Sequence, residues 1–391
     1  MQDFVFENAT RFYFGHDGIA HITGELKGAS TVMVAYGGGS VKRTGIFERV
    51  AEQVTAAGAS IVEFGGIPSN PTLDKVMEGA ALARQENVDY ILAVGGGSVM
   101  DCCKTIALAA ADPLPADAFW QKYFVDFAPI EGQPLPLGII VTAWGTGSEG
   151  NGGGVITNTK TKVKTGADRP KSNARFCIQD PTLSFTVPNS QKAAGGYDIM
   201  NHLMEEYFSA PIGNVLTDEL IEAAMRSVIE NLPIALEKSD DYQSHANLEW
   251  ASSLAENRVM KSGKQTCFQC HMLEHSVGAY TNCVHGFGLA AITANYYRRI
   301  FAKTPEALYQ FDRFATNVWG IDAEGKSKEE LALAGIDALQ AWTERIGAYH
   351  TLEQLGCTED MIPAIAAGVP ILPTALAPIT PDDVTAILMN S

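Results

Sequence analysis

The sequence predicts an α/β domain with a parallel sheet, over residues 1–185, followed by an all-helical domain over residues 186–391. Three observations support this prediction. Short, apolar, β-branched runs alternate with amphipathic segments as far as about residue 180, which is typical of a parallel sheet covered on both faces. After Pro188 the strand-like runs stop and long helical patterns replace them. Two of the early runs also end in the same Gly-Gly-Gly-Ser sequence.

Composition restricts the class further. Hydrophobic residues make up 46% of the 391 residues, enough for a sizeable core, and the formal net charge is −17. Nucleic acids and anionic membranes need basic surfaces, so neither is expected as a partner. The amino terminus has no secretory pattern, and the apolar stretch 362–379 carries four prolines that disfavour a membrane-spanning helix. With seven cysteines, an odd number, no disulfide framework is expected, and the predicted location is the cytoplasm.

Individual elements follow from the periodicity of the apolar residues. Parallel strands are predicted over 31–36, 60–64, 89–94 and 137–142. Helices are predicted over 46–57, 73–85, 193–207, 215–232, 242–260 and 328–345.

Two glycine loops are candidates for binding a diphosphate. Gly37-Gly38-Gly39-Ser40 and Gly95-Gly96-Gly97-Ser98 each lie where a parallel strand ends and a helix begins. Backbone without Cβ atoms lets a diphosphate approach closely, and the helix N-terminus offers amide groups and a positive dipole. A pair of tight turns is the plainer interpretation, but two matching loops favour a nucleotide site.

A third glycine cluster, residues 145–150, matches the G-x-G-x-x-G expression literally. The residues after it, Asn151-Gly152-Gly153-Gly154, cannot open a stable helix, so the dinucleotide fingerprint is rejected here. We predict an active-site or phosphate-contacting loop instead.

Histidines and one aspartate suggest a metal site. Asp198 and His202 are spaced i,i+4 on a predicted helix, as are His271 and His275. His285 joins them only if the chain turns back near residues 280–282, because two imidazoles on one metal must lie within about 4 Å of each other. A carboxylate with imidazoles suits Fe²⁺, Zn²⁺, Ni²⁺ or Cu²⁺, and the spacing alone does not separate His271 from His275. The sequence Cys267-Phe268-Gln269-Cys270-His271 also matches a haem-attachment pattern, which leaves a haem electron carrier as an alternative.

Together these residues resemble the iron-containing (group III) alcohol dehydrogenase family along nearly the whole chain, within its branch of NADPH-dependent aldehyde reductases and butanol dehydrogenases. The segments that carry the resemblance are 10–15, 95–101, 142–149, Asp198-x3-His202 and His271-x3-His275-x9-His285-Gly286. The resemblance implies a Rossmann-like N-terminal domain and a helical, metal-binding and catalytic C-terminal domain.

The resemblance also assigns roles to residues. It implies that Asp198, His202, His271 and His285 are the metal ligands and catalytic residues, and that His275 is a catalytic neighbour of the nicotinamide and substrate. The implied cofactor-binding residues are Gly37, Gly38, Gly39, Ser40, Gly96, Gly97, Ser98, Asp101, Thr142, Gly145, Thr146 and Lys164.

The expected reaction is hydride transfer between NADP(H) and small alcohols or aldehydes, as an aldehyde reductase that needs one divalent metal, Fe²⁺ or Zn²⁺. NADP(H) is preferred over NAD(H) in this prediction, because Lys42 and Arg43 follow the first glycine loop and no acidic residue lies there. The resemblance implies a homodimer or larger homo-oligomer. The alternatives are a glycerol-type dehydrogenase or lyase of the same architecture, and a non-catalytic metal-binding protein.

Overall fold

A computed structural model describes residues 1–304 and 307–391. The described chain forms two compact units. One comprises Glu7–Val187 and Asp240–Asn257, and the other comprises Met1–Phe6, Pro188–Ser239 and Arg258–Ser391. The units are thus discontinuous in sequence, and the segment 240–257 groups with the N-terminal part of the chain. The domain ranges 1–185 and 186–391 stay a prediction.

The first unit is built on a six-stranded parallel sheet with the order β1-β8-β5-β4-β2-β3. Its strands are β1 (Arg11–Phe14), β2 (Thr31–Tyr36), β3 (Ser60–Phe64), β4 (Tyr90–Gly95), β5 (Leu137–Val141) and β8 (Phe176–Gln179). An antiparallel hairpin stands apart from this sheet and consists of β6 (Gly153–Asn158) and β7 (Val163–Asp168). The central strands β4 and β5 are buried at every position, as their continuous apolar sequence requires.

Helices cover both faces of the sheet. The helices of this unit are α1 (Ile22–Glu25), α2 (Ser40–Arg43), α3 (Ile46–Ala56), α4 (Leu73–Gln85), α5 (Gly97–Ala111), α6 (Ala116–Trp120) and α9 (Tyr242–Glu256). Helices α4 and α5 contribute to one apolar core and α1 and α3 to a second one, on opposite faces. The chain leaves β2 for β3 on one side and then returns to β4 on the other side of β2. A topological switch point therefore lies between β2 and β4, the place where open α/β sheets bind ligands.

In the second unit, all the regular secondary structure assigned among the described residues is helical. Its helices are α7 (Asn189–Tyr207), α8 (Val215–Glu237), α10 (Gln269–Thr281), α11 (His285–Phe301), α12 (Leu308–Arg313), α13 (Lys328–Arg345), α14 (Ile362–Gly368) and α15 (Pro381–Met389). Helix α7 packs against both α8 and α11, and α10 packs against α11. The predicted fold class, a parallel-sheet α/β part and a helical part, is confirmed.

The apolar stretch that begins at Ile362 contains only the short helix α14, with Pro363 in its first turn. Among the helices of residues 1–304 and 307–391, none combines the length and the apolar character needed to cross a bilayer.

Candidate metal centre and cofactor loops

Three helices of the second unit bring the predicted metal ligands together. Helix α7 carries Asp198 and His202 on one face, and α10 carries His271. Asn282 then adopts a left-handed backbone conformation, with φ 54°, and turns the chain so that His285 begins α11. The turn required near residues 280–282 is therefore present, and it places His285 beside His271.

The distances converge on a single carboxylate oxygen. Asp198 Oδ1 lies 3.7 Å from His202 Nδ1, 3.6 Å from His271 Nε2 and 3.5 Å from His285 Nε2. Donor atoms of Asp198, His202 and His271 all lie within 4.8 Å of one another, as expected for ligands of one ion. Oxygen and imidazole nitrogen together form the kind of donor set that Fe²⁺ and Zn²⁺ accept.

The burial of a carboxylate and of imidazole nitrogens in this cluster costs free energy unless a cation offsets the lost hydration. The Asp198 side chain is 5% exposed, and neither its Oδ1 nor His271 Nε2 has a hydrogen-bond partner among the residues that the structure describes. Burial acts to raise the pKa of Asp198, but the surrounding imidazoles of His202, His285 and His271 outweigh it and lower that pKa. Buried polar atoms of this kind require a partner, and a divalent cation among them would supply one. The residues present therefore fit a metal.

His275 lies on the same side of α10 as His271, one helical turn further along. Its ring centroid is 6.1 Å from that of His271 and 5.6 Å from that of His285, and the residue is 6% exposed. The structure thus brings the fifth predicted residue next to the cluster of four. Its catalytic role, and the roles of the four as ligands, stay predictions.

Two carboxylates of this cluster were missed by reasoning from the sequence. Glu205 hydrogen-bonds to the Nδ1 atom of His271, and Glu274 hydrogen-bonds to the Nδ1 atom of His285. Both carboxylates are buried. A weak signal existed, because Glu205 follows His202 by three residues on the same helix.

The cysteines beside this cluster are buried thiols. Burial raises the pKa of Cys267 to about 11 and that of Cys270 well above its ordinary value, so both stay protonated. The Nδ1 atom of His271 bonds to Glu205, and its Nε2 atom faces Asp198. In this arrangement the two cysteines pack as small, buried, apolar residues.

In the first unit, the glycine loops lie at the carboxyl ends of three neighbouring strands. Gly37–Gly39 follows β2, Gly95 is the last residue of β4 and is followed by Gly96 and Gly97, and Thr142–Thr146 follows β5. The first two loops therefore flank the switch point between β2 and β4. Gly97 begins the 15-residue helix α5, so the positive end of that helix lies at the same edge of the sheet.

Close packing explains why the second loop needs glycine. A Cβ atom on Gly97 would lie 2.3 Å from the Thr146 side chain, and one on Gly96 would lie 3.3 Å from Ala143 Cβ. The loops after β4 and β5 are thus in contact, and Thr146 borders the start of α5. This places the predicted residues Gly96, Gly97 and Thr146 together.

The third glycine cluster, residues 145–150, forms a loop that is fixed by hydrogen bonds. It contains a 3₁₀ turn over Ser148–Gly150, and the strand β6 follows, so no α-helix opens there and the rejection of the fingerprint is confirmed. The amides of Gly145 and Gly147 both donate to Ser252 Oγ on α9, at 3.0 and 3.1 Å. This part of the loop is therefore held by a helix of its own unit.

Two of the predicted cofactor residues make protein contacts of their own. Asp101 on α5 accepts a hydrogen bond from Ser148 Oγ at 2.6 Å and another from the Val155 amide at 3.0 Å. Its carboxylate thereby links α5 to the third glycine loop and to β6. Lys164 lies in β7, opposite Thr157, and is buried. Their contacts with a cofactor stay predictions.

Lys42, expected from the sequence to present positive charge beside the first loop, is paired. Its ammonium forms an ion pair with Glu63 of β3, and the same carboxylate accepts a hydrogen bond from the Tyr36 hydroxyl. The ammonium also lies over the Phe47 ring, 4.7 Å from its centroid. Arg43 is exposed, and its guanidinium lies next to Gly39. Glu63, 21 residues away in sequence, was not foreseen as part of this site.

The chain belongs to the iron-containing alcohol dehydrogenase family. The profile described as "Iron-containing alcohol dehydrogenase" matches residues 9–181, and "Fe-containing alcohol dehydrogenase family, C-terminal" matches residues 192–391. These two matches cover both glycine loops and the histidine cluster. They confirm the family resemblance found in the sequence.

Curated relatives and solved structures cover nearly the whole chain. NADH-dependent butanol dehydrogenase A of Clostridium acetobutylicum is 37% identical over 367 residues, which are 94% of this chain and 92% of the relative. NADPH-dependent aldehyde reductase YqhD of Escherichia coli is 32% identical over 365 residues, 93% and 92% of the two chains. The crystal structure of NADH-dependent butanol dehydrogenase A from Thermotoga maritima matches with a TM-score of 0.93 at 34% identity, covering 100% and 98%.

Proposed function

We propose that this alcohol dehydrogenase works as a metal-dependent, NADP(H)-linked aldehyde reductase that interconverts small aldehydes and alcohols. The observation that carries the proposal is the convergence of three histidine nitrogens on Asp198 Oδ1, at 3.5 to 3.7 Å. Family membership supplies the reaction type. The names of the relatives, butanol dehydrogenase and aldehyde reductase, support small aldehydes and alcohols as the substrate class.

Asp198, His202, His271 and His285 would hold one Fe²⁺ or Zn²⁺ ion. A divalent metal bound there supplies Lewis acidity toward a carbonyl or alcohol oxygen. The contribution of the protein is to place one negative charge and three neutral donors in a buried site, with the backbone turn at Asn282 setting the position of His285. His275, at the edge of this group, has an imidazole that can hold or transfer a proton.

The dinucleotide would lie along the switch point between β2 and β4. A nicotinamide cofactor bound there supplies or accepts the hydride. The residues we propose for holding it are those predicted from the sequence: Gly37, Gly38, Gly39, Ser40, Gly96, Gly97, Ser98, Asp101, Thr142, Gly145, Thr146 and Lys164. The start of α5 at Gly97 favours a diphosphate through the amides of its first turn.

The preference for NADP(H) rests on the residues that follow β2. No carboxylate follows β2 within Gly37-Gly38-Gly39-Ser40, and the exposed guanidinium of Arg43 lies next to Gly39. Lys42 contributes less positive charge than its sequence position suggests, because Glu63 neutralises it. Relatives named for NADH and for NADPH both match this chain, so their names do not decide the cofactor. Comparable kcat/KM values with NADPH and NADH would contradict the preference.

An assay of NADPH oxidation with a panel of short aldehydes tests the function. Chelator-treated protein should be inactive, and Fe²⁺ or Zn²⁺ should restore its activity. His271→Ala should abolish both activity and metal content, since it removes a proposed ligand, whereas His350→Ala, a histidine of the same unit outside the cluster, should retain both. A fully active His271→Ala protein would overturn the site. Metal binding without turnover of any aldehyde would indicate a non-catalytic metal-binding protein.

The expectations of a homodimer or larger homo-oligomer and of a cytoplasmic location stay predictions. Light scattering coupled to gel filtration would test the first.

A further inference from the structure

Two buried carboxylates contact two of the proposed metal ligands, His271 and His285, through the ring nitrogen that does not face Asp198. Glu205 belongs to α7 and contacts His271, while Glu274 belongs to α10 and contacts His285. Their side chains are 1% and 0% exposed. Carboxylates this deeply buried need several partners, because desolvation of an unpaired charge costs several kcal/mol or more.

Glu205 meets that requirement through the first turn of α10. One carboxylate oxygen accepts the Cys270 amide at 2.6 Å, and the other accepts the His271 amide at 3.0 Å. Amides in the first turn of a helix have no partner within that helix, and the positive end of the helix favours a negative charge. The carboxylate is therefore held in a defined position, and that same position brings it to His271 Nδ1.

Glu274 occupies a space that the neighbouring helix leaves open. A Cβ atom on Gly288 of α11 would lie 2.8 Å from Glu274 Cγ, so only glycine accommodates this side chain. Cys283 Sγ lies 3.9 Å from the other carboxylate oxygen. Glu274 thus contacts the side chains of His285 and Cys283, whereas Glu205 bonds to two backbone amides as well as to a histidine ring.

The consequence concerns which ring nitrogen carries a proton. A carboxylate that accepts from Nδ1 keeps the proton on that atom, which leaves the lone pair on Nε2. In both histidines Nε2 is the atom that faces Asp198 Oδ1, at 3.6 Å for His271 and 3.5 Å for His285. The two glutamates thus select the tautomer in which each imidazole can bind a cation.

We propose that Glu205 and Glu274 are positioning residues that raise the metal affinity of this site by fixing the tautomer and ring orientation of His271 and His285. The proposal rests on the metal-dependent function proposed above. Outer carboxylates of this kind change metal affinity by about 10- to 100-fold in other metal sites. We expect losses in that range for Glu205→Gln and for Glu274→Gln.

The test measures metal binding by chelator-treated protein, without turnover. Zn²⁺ affinity is obtained by competition with a chromogenic chelator, and Co²⁺ absorption spectra report the ligand geometry. Glu222→Gln serves as the matched control, because Glu222 is an equally buried carboxylate of the same unit that bonds to Tyr207 and Arg313 instead of a histidine. The control should leave both the affinity and the spectrum unchanged.

Each of the two variants has its own expected signature. Glu274→Gln should weaken Zn²⁺ binding about 10-fold or more and shift the Co²⁺ spectrum, with little change in the unfolding temperature of the metal-free protein. Glu205→Gln should weaken binding similarly and also lower that temperature, since the charge at the start of α10 is lost. Unchanged Zn²⁺ affinity and an unchanged Co²⁺ spectrum in both variants would overturn the proposal.

Stoichiometry provides a second check. Donor atoms of Glu274, His275 and His285 also lie within 4.8 Å of one another. One Zn²⁺ per chain in the wild type supports the positioning role, whereas two per chain would make Glu274 a ligand and overturn it. A wild-type protein that binds no metal would instead contradict the proposed function itself.

Discussion

At the scale of single residues, the pair formed by Lys42 and Glu63 bears on cofactor choice. The two side chains are about two-fifths exposed, so solvent screens their attraction and the pair is weak. Glu63→Gln keeps a hydrogen-bond acceptor for the Tyr36 hydroxyl. It also leaves the charge of Lys42 free to attract the 2′-phosphate, the group that NADPH carries and NADH lacks. We expect the ratio of the Kd for NADH to the Kd for NADPH to rise about threefold. Fluorescence titration with each dinucleotide measures this ratio.

Two comparisons isolate the cause of that change. Glu48→Gln removes an exposed carboxylate of α3 and should leave the ratio unchanged. In a Lys42→Met background, Glu63→Gln should have no further effect. An equal effect with and without Lys42 would show that the carboxylate acts directly on the dinucleotide.

Gly147 shows how a single residue holds the third glycine loop. Its φ is +59°, and an added Cβ would lie 2.4 Å from the Ser252 carbonyl oxygen. Gly147→Ala should lower the free energy of unfolding by about 1–2 kcal/mol for the backbone conformation alone, and by more because of the clash. Gly58→Ala is the control, since Gly58 has φ +85° but, among the described residues other than its own chain neighbours, no atom lies within 4 Å of the added Cβ. Urea denaturation should rank Gly147→Ala as the less stable variant, and equal losses would mean that the clash relaxes.

At the scale of elements, the periodicity of the apolar residues predicted the bounds of those strands and helices that depend mainly on local sequence. The predicted ranges 31–36, 60–64, 73–85 and 328–345 coincide with β2, β3, α4 and α13. The predicted helix 242–260 ends instead at Glu256, and α8 continues to Glu237, past Pro233. Packing along the rest of α8 keeps the helix intact despite the proline, which a local pattern cannot indicate.

The candidate site was predictable only in part, for a similar reason. The i,i+4 spacing put His271 and His275 on one face, and nothing local distinguished them. In the structure His271 Nε2 lies 3.6 Å from Asp198 Oδ1, a contact between two helices that local spacing does not indicate, and the different roles of His271 and His275 stay a prediction. Glu205 contacts residues 65 and 66 positions later in the chain, so its role follows from helix packing and not from any spacing.

Helix α15 allows a prediction about pH. Asp383 in its first turn accepts the Thr380 amide at 2.7 Å and forms ion pairs with Arg299 and Lys303, although only 2% of its side chain is exposed. Burial acts to raise the pKa of Asp383, but Lys303, Thr380 and Arg299 together lower it below the ordinary range. Asp383→Asn should lower the free energy of unfolding at pH 7 by about 1–2 kcal/mol, because Arg299 and Lys303 lose a charged partner while solvent, which reaches both of their side chains, limits the loss.

The sign of the pH dependence follows from the lowered pKa. The stabilisation by Asp383 is fully present well above the unfolded-state pKa of about 3.9, begins to decline as the pH falls past that value, and is lost as the pH falls through the lower folded-state pKa. Urea denaturation at a series of pH values should therefore show the wild-type advantage over Asp383→Asn shrinking toward pH 3. Asp382→Asn, an exposed neighbour in the same turn, should cost only about 0.5 kcal/mol at pH 7. A gap between wild type and Asp383→Asn that does not depend on pH would contradict this account.

At the scale of the whole molecule, the residues proposed to hold the metal and those proposed to hold the dinucleotide belong to different compact units. The histidine cluster lies in the unit that contains α7, α10 and α11, and the glycine loops lie in the unit that contains the parallel sheet. A ligand that binds only the folded state stabilises it by about 2.7 kcal/mol at a concentration of 100 times Kd. Each ligand should therefore act first on the unit that holds it.

Hydrogen exchange can follow the two effects separately. Restoring Zn²⁺ to chelator-treated protein should slow amide exchange in α10 and α11 by up to about 100-fold, since exchange through unfolding of that unit is suppressed by the binding free energy. Adding NADPH should slow exchange at the start of α5 and in β2 and β4. If the units unfold independently, Zn²⁺ alone leaves the sheet strands unchanged. Equal slowing of β4 and α10 by Zn²⁺ alone would show instead that the whole chain unfolds as one cooperative unit, and both ligands would then stabilise every helix and strand together.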